Sequence, residues 1–268
     1  MYLGVDIGGT KTLLAVLNND GVIRESRKFP TPKTYDNFLL ELRHAALQLE
    51  HREFRAAGVA VPGVLDRRHG RIRNLGNLGW KNENILADCE KIFDCPVVIE
   101  NDANLGALSE SKLQPADKKI LYITISTGIG TGVTYDRQLV PALLDIEGGN
   151  IELPFRNQLR VWEDFASGRA IYQHFGKKAA DITDPAAWKY IARNLALGFF
   201  ENIAVVQPDL IIIGGSIGTY YDRYHKFLAD ELKKYETPMV PLPRIIQAKR
   251  PEEAVVYGCY DLARLHYA

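Results

Sequence analysis

Cysteine is scarce. Cys89, Cys95 and Cys259 are the whole set, an odd number with no C-x-x-C pair. A disulfide framework or a cysteine-rich zinc site is therefore not expected. Free thiols fit a reducing compartment. Long apolar runs are also lacking: none approaches the roughly 18 residues of a membrane span. The opening Met1-Tyr2-Leu3-Gly4-Val5-Asp6 has no basic region and carries an acid at position six, unlike a signal peptide. Nor is there a charge excess, since 33 Lys and Arg balance 33 Asp and Glu. Duplex-binding proteins usually carry a basic surplus, and so do polybasic membrane-surface proteins. The expectation is a cytoplasmic protein with no nucleic-acid and no membrane partner. No segment is low-complexity. With 46% apolar and 25% charged residues, the chain has the composition of a folded globular protein.

What is present is an alternating pattern. At about 100–200 residues per domain, 268 residues make one large or two modest domains. Residues 2–7 form a β-prone run that ends in Asp6-Ile7 and is followed by Gly8-Gly9-Thr10-Lys11. A second β-prone run follows over 12–17, so the spacing predicts a hairpin. No helix follows the glycines, which separates this loop from the Rossmann fingerprint and the P-loop. Helical periodicity over 36–50 places Phe38, Leu42, Ala45 and Leu49 on one face. Strands are expected at 58–61 and 96–100, with helices at 83–93 and 103–112. This alternation predicts a mostly parallel α/β sheet.

Residues 114–119, Gln-Pro-Ala-Asp-Lys-Lys, form a polar joint. Beyond it the opening pattern recurs: a strand over 120–125, then Ser126-Thr127-Gly128-Ile129-Gly130, then a strand around Val133. This weak internal echo predicts two related lobes. Helices are expected over 162–175 and 185–206. A buried strand over 210–213 ends at Gly214-Gly215, and a last helix starts near Glu252.

Gly-rich turns bring backbone N–H groups close to a ligand and form anion-binding concavities. Asp6, where strand meets turn, is placed to approach a metal ion. Thr10 offers a hydroxyl and Lys11 a charge. Each turn taken alone reads equally well as a plain tight hairpin. Asp102, just after a strand and opening a helix, reads as an N-cap or as a ligand-facing carboxylate.

Taken together, Val5-Asp6-Ile7-Gly8-Gly9-Thr10-Lys11, Ser126-Thr127-Gly128-Ile129-Gly130 and Ile213-Gly214-Gly215 resemble the two phosphate motifs and the adenosine motif of the actin/hexokinase/Hsp70 ATPase superfamily. Within it, the chain resembles a ROK-family sugar kinase. Val61-Pro62-Gly63, Asn77-Leu78-Gly79-Trp80, Glu100-Asn101-Asp102-Ala103-Asn104 and Ala166-Ser167-Gly168-Arg169-Ala170 extend the match nearly end to end.

The resemblance implies an α/β, two-lobe, actin-like ATPase (ribonuclease H-like) fold around a central cleft. Lobe one spans 1–116 with the helix 253–268 packed back on it, and lobe two spans 117–252. It implies transfer of the γ-phosphate of ATP to a hexose hydroxyl, the 6-hydroxyl of glucose or a related sugar, with Mg²⁺ held by Asp6 through water. Gly8, Gly9, Thr10, Lys11, Thr127, Gly128, Gly130, Gly214 and Gly215 would hold the nucleotide. Asp102 would be the general base. Gly63, Asn77, Asn101, Glu147, Asn150 and Glu163 would join it in holding the sugar. For Glu163 a helix first-turn acid, and for Glu147 a solvated loop charge, remain the plainer readings.

Many ROK proteins bind zinc through the His of a Glu-x-Gly-His motif and a cysteine-rich loop. Here the His position is Asn150, and residues 155–162 contain no cysteine. Such a site needs soft or imidazole ligands, usually about four, and ligands and loop are missing together, so no zinc site is expected. The loop should instead be held by side-chain packing. A homodimer is implied, as are ATP and a small sugar as partners. N-acetylmannosamine or N-acetylglucosamine kinases and a non-catalytic sugar sensor stay open, as does polyphosphate as donor. A repressor of the family would carry a helix-turn-helix before the first phosphate motif. Here that motif begins at residue 4, so none is expected.

Overall fold

The computed structural model describes residues 1–75 and 78–268, apart from the side chain of Asn74. The chain divides into two compact units, Met1–Ser109 with Glu253–Ala268, and Glu110–Glu252.

The first unit is built on β1 (Tyr2–Ile7), β2 (Lys11–Leu17), β3 (Ile23–Pro30), α1 (Tyr35–Leu47), β4 (Ala56–Val61), β5 (Val64–Asp66), β6 (Arg71–Asn74), α2 (Ile85–Phe93), β7 (Val97–Asn101) and α3 (Asp102–Ser111). Its sheet has the order β3-β2-β1-β4-β7. The first three strands pair antiparallel, while β1, β4 and β7 pair parallel. Strand β4 reads Ala-Ala-Gly-Val-Ala-Val and is buried throughout, as a strand covered on both faces must be. Helix α1 turns Tyr35, Phe38, Leu42 and Ala45 inward at helical spacing. In α2, the Asn84 side chain accepts from the Ala87 N–H, and left-handed Asp94 ends the helix. The short β5–β6 hairpin leaves the end of β4.

The second unit repeats the plan with β8 (Lys119–Ile125), β9 (Ile129–Tyr135), β10 (Gln138–Leu139), β11 (Glu152–Phe155), β12 (Gln158–Val161), α4 (Glu163–Ala166), α5 (Gly168–Phe175), α6 (Pro185–Val206), β13 (Leu210–Gly214), α7 (Gly215–Gly218), α8 (Tyr221–Leu232) and β14 (Arg244–Gln247). Its sheet order is β10-β9-β8-β13-β14, with β8, β13 and β14 parallel. Helix α6 packs on α8 over Trp188, Ile191, Leu195 and Phe199 against Tyr224, Leu228 and Leu232. Helix α9 (Ala254–Tyr267) belongs to the first unit and packs on β1 and β4. It lies so close that a Cβ at Gly58 would overlap the Cys259 backbone. No described helix is long and apolar enough to cross a membrane.

Two local expectations change. The helix expected over 162–175 is broken at Ser167, which is extended and caps α5 by accepting from the Ala170 N–H. The break frees the Gly168 N–H to donate to the Ser126 carbonyl at 2.7 Å, a bond a continuous helix could not make. The cysteine-free segment 155–162 is largely strand, not loop. Strands β11 and β12 pair antiparallel across Arg156 and Asn157, whose φ values of 50° and 64° suit a two-residue hairpin turn. The expected packing is there too: the Phe155 and Phe165 rings stack at 4.2 Å, with the Arg156 and Arg160 guanidiniums over Phe155. Among the described residues, no group of three or more His, Cys, Asp or Glu is placed to hold a metal ion.

Candidate active site

In the first unit, register places Asp6 beside Ala60, and Val61 beside Asn101. Asp6, Gly63, Asn101 and Asp102 therefore gather at the carboxyl ends of three adjacent parallel strands, where open α/β sheets bind ligands. The turn after Asp6 is tied tightly. Gly8 N–H donates to Lys11 O at 3.0 Å, and Thr31 N–H donates to Thr10 O at 3.1 Å. The Thr31 hydroxyl donates to Gly8 O at 2.7 Å and lies 2.9 Å from the Thr12 hydroxyl. Gly9, Thr10 and Lys11 remain exposed at the tip.

Burial pushes the Asp6 carboxyl up to about 7; the Asp102 charge adds to the rise, and Lys11 and Lys28 oppose it. Asp102 is also raised, again by burial, with the Ala103 N–H opposing. Two carboxyls in one low-dielectric region resist double ionisation. Behind them the Cys259 thiol points at Val5 O, at 3.4 Å, and burial beside Asp6 keeps it protonated.

Asn101 and Asp102 share the start of α3. The Asn101 Oδ1 accepts from Ala103 N–H at 2.9 Å, and its Nδ2 donates to Gly63 O at 3.4 Å. Asp102 Oδ1 accepts from the same N–H at 2.8 Å. The capping role foreseen for Asp102 is thus shared with Asn101, and both side chains stay partly accessible. Just before them, buried Glu100 takes a two-pronged ion pair from Arg67. Asn77 lies outside the described residues.

In the second unit, the Ser126–Gly130 turn is the meeting point of three segments. Ser126 O accepts from Gly168 N–H, and Ser126 Oγ accepts from Ser216 N–H at 3.2 Å. The Glu163 carboxylate accepts from Ile129 N–H at 3.2 Å and pairs with Arg169 at 3.4 Å. Gly149 sits so tightly on Ile129 that a Cβ would overlap the Ile129 carbonyl. Glu147 and Asn150 flank that glycine, and Asn150 Nδ2 donates to Glu147 at 3.0 Å. Glu147, Asn150 and Glu163 are therefore brought together around Ile129, beside Gly128 and Gly130. Thr127 is exposed at the turn tip. Gly214 ends β13; Gly215, at φ 78°, donates its N–H to Pro251 O at 2.8 Å.

Sequence reasoning missed Thr31 and Arg67, and it gave Ser126 no anchoring role. Each acts through a partner at least 23 residues away, and no local spacing marks such a contact. Three histidines have partners elsewhere: His51 pairs with Glu25, His69 with Asp66, and His174 stacks on Tyr190.

The chain is similar to known proteins over nearly its whole length. A model of the ROK family matches residues 2–265. A glucokinase of Streptomyces coelicolor is 26% identical, covering 98% of each chain. An N-acetyl-D-glucosamine kinase of Citrobacter koseri is 26% identical over 96% of this chain and 97% of its own. Among solved structures, a ROK-family glucokinase of Streptomyces griseus in complex with glucose and AMPPNP superposes with a TM-score of 0.86. It is 23% identical and covers 98% of this chain and 99% of its own. The mixed α/β fold is that of ROK kinases, the actin-like ATPase fold. The chain belongs to the ROK family.

Proposed function

We propose that the protein is an ATP-dependent hexose kinase that phosphorylates the 6-hydroxyl of glucose or a related sugar. The observation that carries this reading is Asp102: a partly accessible carboxylate with a raised proton affinity, at a strand end, beside Asp6. Sugar-kinase relatives over nearly the full chain support it.

Phosphoryl transfer asks the protein mainly for positioning and charge stabilisation. The Gly-rich turns at Gly8–Lys11 and Thr127–Gly130, exposed at Gly9–Lys11 and at Thr127, suit phosphate oxygens. Gly214 and Gly215, buried against Tyr122 and Ile125 at the end of β13, would form the floor on which the adenosine lies. Asn101 and the Gly63 backbone in the first unit, and Glu147, Asn150 and Glu163 in the second, supply donors and acceptors suited to sugar hydroxyls. Asp102 orients the attacking hydroxyl and accepts its proton. A sugar lacking a matched hydroxyl leaves these groups unpaired, which is a strong basis for rejection.

Asp6 fits a magnesium ion, taken directly or through water: its carboxylate is a hard oxygen donor, and a cation would relieve the crowding that raises its proton affinity. Held there, a magnesium ion would supply positive charge to offset the charge that develops in phosphoryl transfer. The three buried thiols suit a cytoplasmic setting. A homodimer is the expected assembly, which light scattering tests.

The test is ADP release with ATP and, separately, glucose, mannose, fructose, N-acetylglucosamine or N-acetylmannosamine. Sugar-dependent release with at least one supports the reading. Binding without turnover would make the protein a sugar sensor instead.

A further inference from the structure

We infer that Arg67 is a positioning residue for the phosphoryl acceptor, acting through Glu100 on the Asn101–Asp102 corner; this rests on the kinase reading above. Glu100 is next to last in β7 and only 4% exposed. A carboxylate so enclosed must be paired. Arg67 supplies the pair as a fork: Nε donates to Oε2 at 2.7 Å, and a terminal nitrogen donates to Oε1 at 2.6 Å. The same Oε1 accepts from the Asn101 N–H at 2.7 Å and from Asn104 Nδ2 at 3.0 Å. One carboxylate thus fixes the backbone immediately before Asp102 and the first turn of α3.

Arg67 directly follows β5, which begins at Val64, the residue after Gly63. Gly63 O in turn accepts from Asn101 Nδ2. Gly63, the β5 strand, Arg67, Glu100 and Asn101 therefore close a ring of covalent and hydrogen-bonded links. Within that ring lie Gly63 and Asn101, two of the groups assigned to the sugar, with Asp102 the next residue along the chain.

Stability alone does not account for an ion pair here. A buried pair is often no better than well-packed apolar residues of similar volume, because desolvation offsets the attraction. What it does supply is direction: a planar fork accepts one carboxylate orientation. Charge placed one residue before the corner fixes where Asn101 and Asp102 point. Misplacing a reacting group by about 1 Å can cost about a hundredfold in rate.

The test uses the full-length protein and the variants Arg67→Met, Arg67→Lys, Glu100→Gln and Arg67→Met/Glu100→Gln. It reads kcat, KM for sugar, KM for ATP, and sugar affinity by calorimetry, with thermal melts alongside. In Arg67→Met, kcat/KM for sugar should fall by about ten- to a hundredfold while KM for ATP stays within about twofold. Glu100→Gln should behave alike, and the double variant should lose no more than the worse single one. Arg67→Lys, which keeps the charge but not the fork, should recover part of the loss and provides the reading if Arg67→Met does not fold. The proposal is overturned if folded Arg67→Met or Arg67→Lys keeps wild-type values. Equal damage to sugar and ATP parameters overturns it, as do losses that multiply in the double variant. A wild type that neither binds nor phosphorylates any sugar overturns the kinase reading and this proposal together. An active wild type with silent variants overturns this proposal alone.

Discussion

The two units share one sheet plan but end their strands differently. In each, an antiparallel hairpin with a Gly-rich turn adjoins two further parallel strands, in the order 3-2-1-4-5 when only the strands of the five-stranded sheet are numbered along the chain. In the first unit the parallel strands end in Asp6, Gly63 and Asn101-Asp102, two of them raised carboxylates. In the second, the corresponding ends carry Ser126, Gly214-Gly215 and Gln247, with no carboxylate on the strands themselves. Its acids, Glu147 and Glu163, come from inserted segments. The turns are braced differently too: the Thr31 hydroxyl holds the first, and the Glu163 carboxylate holds the second. Under the proposed function, the proton chemistry and the Gly8–Lys11 phosphate turn fall to the first unit, and the remaining nucleotide binding and part of the sugar binding fall to the second.

That division can be broken by substitution. The largest effect is expected from Asp102→Asn, which should bind sugar normally yet lose about 10²–10⁴ in kcat, read by coupled ADP release. Near-normal turnover would remove Asp102 from the chemistry. Glu163→Gln keeps the shape but weakens the hold on Ile129 and on the sugar. It should raise KM for sugar by about tenfold with a smaller change in kcat, since a hydrogen bond to a charged group is worth about 1.5–3 kcal/mol. A pure kcat effect would place Glu163 with the reacting groups.

Asp6 sharpens the contrast through pH. Its carboxyl is raised from 3.8 to about 7 in the folded protein. Between those values the native state holds a proton that the unfolded chain has released. Stability should therefore fall as pH rises through this window when no divalent cation is present. Asp6→Asn should melt higher than wild type near pH 8, with the gap closing toward pH 4. Parallel melting curves would show that Asp6 is not strained in the fold. The smallest effect is expected from Thr31→Val, which removes the brace on the first turn at about 1 kcal/mol. Urea unfolding measures it.

Much of this plan could be read from residue order. The hairpins at 2–17 and 120–135 show β-prone runs around Gly-rich turns, and α6 is bracketed by Asp184-Pro185 and Gln207-Pro208. Asp102 stood out because a strand ends there and a helix begins. What stayed hidden depends on contacts distant in sequence. The break at Ser167 is settled by a bond from Gly168 to Ser126, 42 residues earlier. The β11–β12 turn uses Arg156-Asn157, two left-handed residues without the usual glycine. Arg67 meets Glu100 across 33 residues, which only the completed sheet brings together.

The central claim, phosphoryl transfer from ATP to a sugar hydroxyl with Asp102 as base, is tested most directly by phosphorus NMR of the reaction mixture. Wild-type protein with ATP, Mg²⁺ and a hexose should give a sugar 6-phosphate resonance that grows in step with ADP, and in Asp102→Asn both should grow more slowly by about 10²–10⁴. ADP accompanied only by inorganic phosphate, or an equal yield of sugar phosphate from Asp102→Asn, would contradict it.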